Sequence, residues 1–295
     1  MTPADDTLAA GAAMAWQLAP QLCEADAAGG SCAGMHGVWL CLRRLGLLGT
    51  IESRRDFYLK ALADTTGTDG RPPRVLISGA ADYAMLEFVL AAFQARGLVP
   101  EVTVTDVCET PLALNRWYAE RAGCAIETVR GDILEFVPGA PYDIVCTDFF
   151  LGWIAPERRA ALVAKWRSLL RPGGVALTAN GLRPADDPAH AAARIEFSPA
   201  QIAQLRASVL ERAVTPGAVL PAGPEALADL AADYAAWHRA YPVRSVEDVR
   251  GLFEGGGFEL RRLAVENVAA GAPGVSGPTL RGATKQYFTL IAIRR

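Results

Sequence analysis

No run of lysine and arginine interrupts these 295 residues, and 29 basic against 32 acidic side chains leave a formal charge of −3. A sequence-indifferent nucleic-acid binder needs a basic face, so nucleic acid is set aside as a partner. No stretch approaches the ~20 apolar residues of a membrane span. Met1-Thr2-Pro3-Ala4-Asp5-Asp6 lacks the basic start of a secretion signal. The expectation is a cytoplasmic protein with no membrane partner, whose six cysteines are free thiols. Cys23, Cys32, His36 and Cys41 lie near one another, but their spacing matches no standard zinc-ligand pattern. They read as small residues packed on N-terminal helices, with no metal expected. Only three histidines occur. No internal repeat is evident. With 51% hydrophobic and 21% charged residues, the chain has ample material for one large or two small domains.

What is present is an alternation of strand and helix signals. The apolar run Val75-Leu76-Ile77 stops at Ser78-Gly79, and a helical pattern starts near Asp82. A second run, Val102-Thr103-Val104-Thr105, ends at Asp106. Strand, small-residue turn, helix, strand and acid is the plan of a nucleotide-binding βαβ unit. The turn must be small because backbone approaches ligand there, and the helix N-terminus offers free N–H groups. The alternation continues. Thr110-Pro111 reads as N-cap and first residue of a helix, Ala125-Ile126-Glu127-Thr128-Val129 as a third strand, and Tyr142-Asp143-Ile144-Val145-Cys146-Thr147 as a fourth. A helix over 156–170, a turn at Arg171-Pro172-Gly173-Gly174 and a fifth strand at Val175-Ala176-Leu177-Thr178 follow. Five strands separated by helices imply a parallel sheet with right-handed crossovers. Strands near 258–265 and 286–293 have no helix between them and should pair antiparallel.

Two regions fall outside this rhythm. Residues 1–70 read as a helical N-terminal lid, closed by a linker at 65–73, ahead of a domain over 71–295. Residues 185–242 read as a helical insertion, with helices over 198–213 and 225–241. Both are rich in Trp, Tyr and Leu, which suits a cover over the ligand-bearing sheet edge and, equally, a homodimer interface.

The ordered set of segments resembles the class I S-adenosylmethionine-dependent methyltransferases, continuously over 74–180 and again over 245–293. Residues 75–83 stand where that family has its glycine-rich motif. Gly131-Asp132-Ile133 and the string Leu170-Arg171-Pro172-Gly173-Gly174 stand where it has two later ones. The resemblance implies an α/β fold, a seven-stranded mostly parallel sheet with a C-terminal antiparallel hairpin and helices on both faces. It implies S-adenosyl-L-methionine as co-substrate, held by Gly79, Ala80, Ala81, Asp82, Tyr83, Asp106, Val107, Asp132, Ile133 and Asp148. Asp106 would bind ribose and Asp132 the adenine amino group. Two departures stand out. Ile77 replaces the acid usual two places before Gly79, leaving the methionine ammonium to Asp82 or to a residue of the N-terminal helices. Tyr83 replaces a glycine, and its ring is expected across the methionine end or in the substrate pocket.

Methyl transfer from a sulfonium is an in-line displacement that needs a base only if the acceptor must lose a proton. The candidates for contact with the chemistry are Asp148, His36, Tyr58 and His238. A small-molecule acceptor at N, O or S is expected. Asp106 alone fits a nicotinamide-dependent oxidoreductase equally well, and Ile77, Ala81 and Tyr83 keep open a binding module with a degenerate site.

Overall fold

The computed structural model of the chain describes residues 3–25, 30–48, 51–65, 71–187, 189–215, 219–267 and 286–295. Gly29, 66–70 of the expected linker, and Pro188 and 216–218 of the expected insertion lie outside the described residues. Seven strands form one sheet in the order β3-β2-β1-β4-β5-β7-β6. They are β1 (Arg74–Ser78), β2 (Glu101–Asp106), β3 (Ile126–Arg130), β4 (Tyr142–Asp148), β5 (Leu170–Leu182), β6 (Phe258–Asn267) and β7 (Gln286–Arg294). Only β7 runs against its neighbours, pairing antiparallel with both β5 and β6. Val75, Leu76 and Ile77 of β1 are fully buried at the middle of the sheet, which is why they form an unbroken apolar run instead of an alternating one.

Three helices cover one face of the sheet: α3 (Arg55–Asp64), α4 (Ala84–Gln94) and α5 (Glu109–Arg121). Two cover the other, α6 (Arg159–Leu169) and α9 (Val246–Gly255), where Trp166 is buried and its indole N–H donates to Ser78 Oγ at 3.1 Å. Four more helices make a separate apolar cluster: α1 (Pro3–Leu22), α2 (Ala33–Arg44), α7 (Pro199–Ala213) and α8 (Pro224–Trp237). Ser198 and Gln201 close the expected capping box on α7. Residues 1–70 therefore do not pack as one unit. The first two helices join the insertion, whereas α3 sends Tyr58 and Leu62, both fully buried, into the core of the sheet.

Several boundaries move from their expected places. The turn at 171–174 is taken into β5, with a shift of register against β4 between Tyr142 and Ile144. Helix α5 starts at Glu109, before Thr110-Pro111, because Cys108 is the extended residue at its N-cap. Helix α8 stops at Trp237, so His238 is its C-cap and leaves the helix axis.

Candidate active site

Parallel strands bring their C-terminal ends to one edge, and β1, β2 and β4 end there at Ser78, Asp106 and Asp148. A cavity of about 720 Å³ lies along this edge. It touches Gly79, Ala80, Ala81, Asp82, Asp106, Val107, Asp132, Ile133 and Asp148, so nine of the ten expected cofactor positions line it. Tyr83 does not. Its ring is 2% exposed and stacks on Tyr118 at 4.7 Å and an interplanar angle of 6°. Such a pair adds roughly 0.5–1.5 kcal/mol beyond the area it buries. On the ring's other side α1 passes so close that a Cβ on Gly11 would sit 2.9 Å from it. The expectation that Tyr83 faces the ligand is thus corrected: aromatic packing between α1 and α5 withdraws it.

The first turn is shaped by Gly79, whose φ of +76° suits glycine and whose missing Cβ makes room for the Phe150 ring, 2.5 Å from where that atom would be. Phe150 and Phe149 both line the cavity. Phe149 has φ 54°, a left-handed conformation that costs a non-glycine residue of order 1–3 kcal/mol. It is held by its own N–H, which donates to the Ala179 carbonyl at 2.8 Å, and by the Arg54 guanidinium 4.4 Å over its ring.

Asp106 joins two loops. Its Oδ2 accepts from the Ala80 N–H at 2.9 Å and its Oδ1 from the Cys108 N–H at 2.8 Å, leaving lone pairs for a further donor. Burial pushes its carboxyl up to about 6, against the lowering effect of those two N–H bonds. Asp132 accepts from the Leu134 N–H and pairs with Arg158, so it serves the local turn as well as facing the cavity. Asp82 accepts from the Ala84 N–H at 2.7 Å and pairs with Arg43 of α2 at 2.5 Å, both side chains almost fully buried. Asp143, the other acid of β4, sits at the opposite end of that strand. There it is buried between Arg71 and Arg171 and accepts from the Arg74 N–H.

The four candidates for the chemistry separate. Asp148 lines the cavity and accepts from Arg54 Nε at 2.9 Å and Arg54 Nη2 at 2.6 Å. Tyr58 Oη lies 2.8 Å from Asp148 Oδ1 and from the Thr147 carbonyl. Burial, then the Asp148 charge, raises the Tyr58 phenol well above its usual range. Fully buried and absent from the cavity wall, Tyr58 reaches the site through its hydroxyl's contact with Asp148. His36 lines the cavity but turns Nδ1 to two thiols, at 3.3 Å from Cys23 Sγ and 3.3 Å from Cys108 Sγ. Burial lowers its basicity and bonds to the sulfurs raise it, with a net rise to about 10. Packing against an apolar core describes Cys41, which is fully buried in the helical cluster, but not Cys23 and Cys32, which meet His36 and Cys108. His238 is 1% exposed and lines the far end of the cavity with Trp153, Trp237 and Tyr241. Neither of its ring nitrogens has a hydrogen-bond partner among the described residues. Burial, aided by neighbouring Arg239, lowers it to about 3 and keeps the ring neutral.

Arg43, Arg54 and Asn180 also line the cavity and were not singled out from sequence. Each is placed by a long-range contact: Arg43 by Asp82, Arg54 by Asp148, and Asn180 through Oδ1, which accepts from the Gly152 N–H.

A family model described as a methyltransferase domain matches residues 88–174, from within α4 to the start of β5. Among curated proteins, the carboxy-S-adenosyl-L-methionine synthase of Pseudomonas fluorescens Pf-5 is 41% identical over 68 residues, 22% of this chain and 26% of that protein. The namesake from Pseudomonas entomophila L48 is 40% identical over 62 residues, 21% of this chain and 25% of its own. The chain thus spans about a quarter of the length of these relatives. Among solved structures, a candidate O-methyltransferase of Nostoc punctiforme PCC 73102 aligns with a TM-score of 0.51 at 14% identity, over 89% of this chain and 60% of that one. Magnesium protoporphyrin IX methyltransferase of Synechocystis PCC 6803 aligns with a TM-score of 0.48 at 14% identity, over 87% and 83%. At such identity the likeness to the Nostoc protein is one of fold.

Proposed function

We propose that the chain carries a class I S-adenosylmethionine-dependent methyltransferase domain, a reading supported by the methyltransferase-domain model over residues 88–174, and that the protein transfers the methyl group of S-adenosylmethionine to a nitrogen, oxygen or sulfur atom of a small molecule. One observation supports this above the others. A single cavity runs from the Gly79 turn and Asp106 to an aromatic end built by Trp39, Trp153, Trp237 and Tyr241. Its volume, about 720 Å³, falls in the range of small-molecule sites, ~300–1,000 Å³.

The residues divide the work by their chemistry. Asp106 accepts from ribose hydroxyls and Asp132 from the adenine amino group. Val107, apolar and 65% exposed on the cavity wall, gains cover when the base binds. The Arg43–Asp82 pair offers both charges to an amino-acid zwitterion, carboxylate to Arg43 and ammonium to Asp82, which answers for the acid missing at Ile77. The reaction breaks the sulfonium S–CH₃ bond as the acceptor lone pair forms the new bond, a neutral thioether leaves, and the proton of an O–H, N–H or S–H acceptor passes to water. Arg54 and Tyr58 position Asp148 beneath the reacting ends. His238, held neutral, accepts a hydrogen bond from the acceptor's O–H or N–H and aims its lone pair. With so low a pKa it orients the acceptor and contributes little as a base. Most of the acceleration then comes from alignment and exclusion of water.

Calorimetry with S-adenosylmethionine, S-adenosylhomocysteine and the nicotinamide dinucleotides tests the reading. Asp106→Ala should weaken S-adenosylmethionine binding by more than ~1.5 kcal/mol, because a charged acceptor of two hydroxyls is lost. Unchanged affinity refutes the ribose assignment, and tighter binding of a dinucleotide refutes the methyl donor. Binding without turnover on a panel of amines, phenols and thiols would leave a binding module in place of an enzyme.

A further inference from the structure

Three thiols and an imidazole from three separated segments meet at one point. Cys23 follows the end of α1, Cys32 is the N-cap of α2, His36 lies on that helix's first turn, and Cys108 is the N-cap of α5. One donor atom from each lies within 4.8 Å of all the others. Cys23 Sγ is 3.5 Å and Cys32 Sγ 3.6 Å from Cys108 Sγ. His36 Nδ1 is 3.3 Å from both Cys23 Sγ and Cys108 Sγ. A disulfide would draw two sulfurs to about 2.05 Å, so these thiols are close but unbonded. Zinc bonds to sulfur at about 2.3 Å and to histidine nitrogen at about 2.0–2.1 Å. A tetrahedron with those radii has S···S edges of about 3.8 Å and S···N edges of about 3.6 Å. Four of the six separations fall 0.2–0.3 Å short of those edges, and Cys32 Sγ lies within 4.8 Å of the donor atoms of Cys23 and His36.

We propose that Cys23, Cys32, His36 and Cys108 form a Cys₃His zinc site that fastens the N-terminal helices to the loop after β2. The donor set selects the ion. Three soft thiolates exclude calcium and magnesium, and sulfur with imidazole in a tetrahedral arrangement is a zinc set. Four protein ligands leave no open position, so the ion is structural. Surroundings suited to a thiolate centre are in place. Thr110 Oγ1 lies 3.1 Å from Cys23 Sγ, where its hydroxyl donates to a bound thiolate, and Arg130 pairs with Glu24, next to Cys23. The site forms part of the cavity wall, which Cys32, His36 and Cys108 line; Cys108 is two residues past Asp106, and its N–H donates to that carboxylate. A zinc ion here would fix at once the two helices that cover the cavity and the backbone that orients Asp106. This inference stands apart from the methyl-transfer reading, since a metal count does not depend on turnover.

The test is the metal content of the full chain, purified under reducing conditions and then incubated with zinc sulfate and desalted. The expected result is one zinc per chain by elemental analysis and native mass spectrometry. Its X-ray absorption should fit three sulfurs at about 2.3 Å and one nitrogen at about 2.0–2.1 Å. Cys32→Ser and Cys108→Ser should lower the bound zinc at least tenfold, while Cys41→Ser and Cys124→Ser leave it unchanged. Should the serine variants not fold, His36→Cys keeps a competent donor set and should retain one zinc with a fourth sulfur in its absorption spectrum. Substoichiometric zinc in the reduced wild-type chain overturns the proposal. So does zinc that survives Cys108→Ser, a first shell without sulfur, or a Cys23–Cys108 disulfide in a chain that takes up no metal after reduction.

Discussion

Replacing Arg54 by methionine isolates the most concentrated polar interaction beneath the cavity. The Arg54 side chain is 4% exposed and that of Asp148 16%. Two bonds at 2.9 and 2.6 Å join them, and Tyr58 supplies Asp148 with a third neighbour at 2.8 Å. Methionine keeps much of the volume and removes the charge, so the carboxylate is left largely buried with the phenol alone. Breaking a buried pair on one side costs about 3–5 kcal/mol. Because Asp148 retains some access to water, the lower end applies, about 3 kcal/mol. Tyr58→Phe deletes one bond of three and should cost about 1 kcal/mol. Arg54→Met with Asp148→Asn removes both charges, so its cost should fall short of the sum of the single costs by about 2 kcal/mol. Equilibrium urea unfolding followed by tryptophan fluorescence measures the wild type and four variants: Arg54→Met, Tyr58→Phe, Asp148→Asn and the double Arg54→Met with Asp148→Asn. A loss under 1 kcal/mol for Arg54→Met, or strict additivity in the double variant, would show that the pair is solvated and that the cavity floor is not built this way.

Two further outcomes follow from the site. Gly79→Ala forces a left-handed backbone on a residue with a Cβ, costing about 1–2 kcal/mol, and pushes Phe150 from its place. S-adenosylmethionine affinity by calorimetry should fall at least tenfold, and a wild-type value would mean the turn and Phe150 are free to move. His238 sets a pH dependence of stability. Its pKa is about 3 when folded against about 6.5 unfolded, so between those values the unfolded chain binds the extra proton and stability falls as pH falls. From pH 7 to 5 the loss is on the order of 2 kcal/mol, and His238→Phe should remove that part of the slope in urea midpoints taken at both pH values. A slope unchanged by the substitution would show that His238 takes up its proton in the folded state.

The seven strands and the antiparallel terminal pair were legible because these segments carry local signatures: a buried apolar run at Val75-Leu76-Ile77, an acid at the end of β2, and no helix between β6 and β7. Asp106 and the Gly79 turn were legible for the same reason, since their conformations are set within a few residues. The misreadings concern side chains whose surroundings come from elsewhere in the chain. Tyr83 was expected at the ligand because its position in the motif faces that way, yet Tyr118 and the bare backbone of Gly11 offer its ring a dry stack. Spacing among Cys23, Cys32 and Cys41 gave no ligand pattern because Cys41 packs elsewhere and the remaining thiol, Cys108, lies 72 residues beyond His36. Arg43 and Arg54 carry no motif at all. Only the folded chain sets them against Asp82 and Asp148.

The helical cluster that joins α1 and α2 to α7 and α8 has a consequence for biosynthesis. The apolar side of α2, with Val38, Leu40 and Leu42, packs in a cluster whose other half lies on helices ending at Trp237. About 155 residues separate the end of α2 from the start of α7, so at a ribosomal rate of ~5–20 residues per second the early pair waits roughly 8–30 s before its partner begins to emerge. In that interval the whole sheet up to β5 emerges between them. The nascent chain thus carries the apolar side of α2 past the folding of its own sheet before α7 and α8 can cover it.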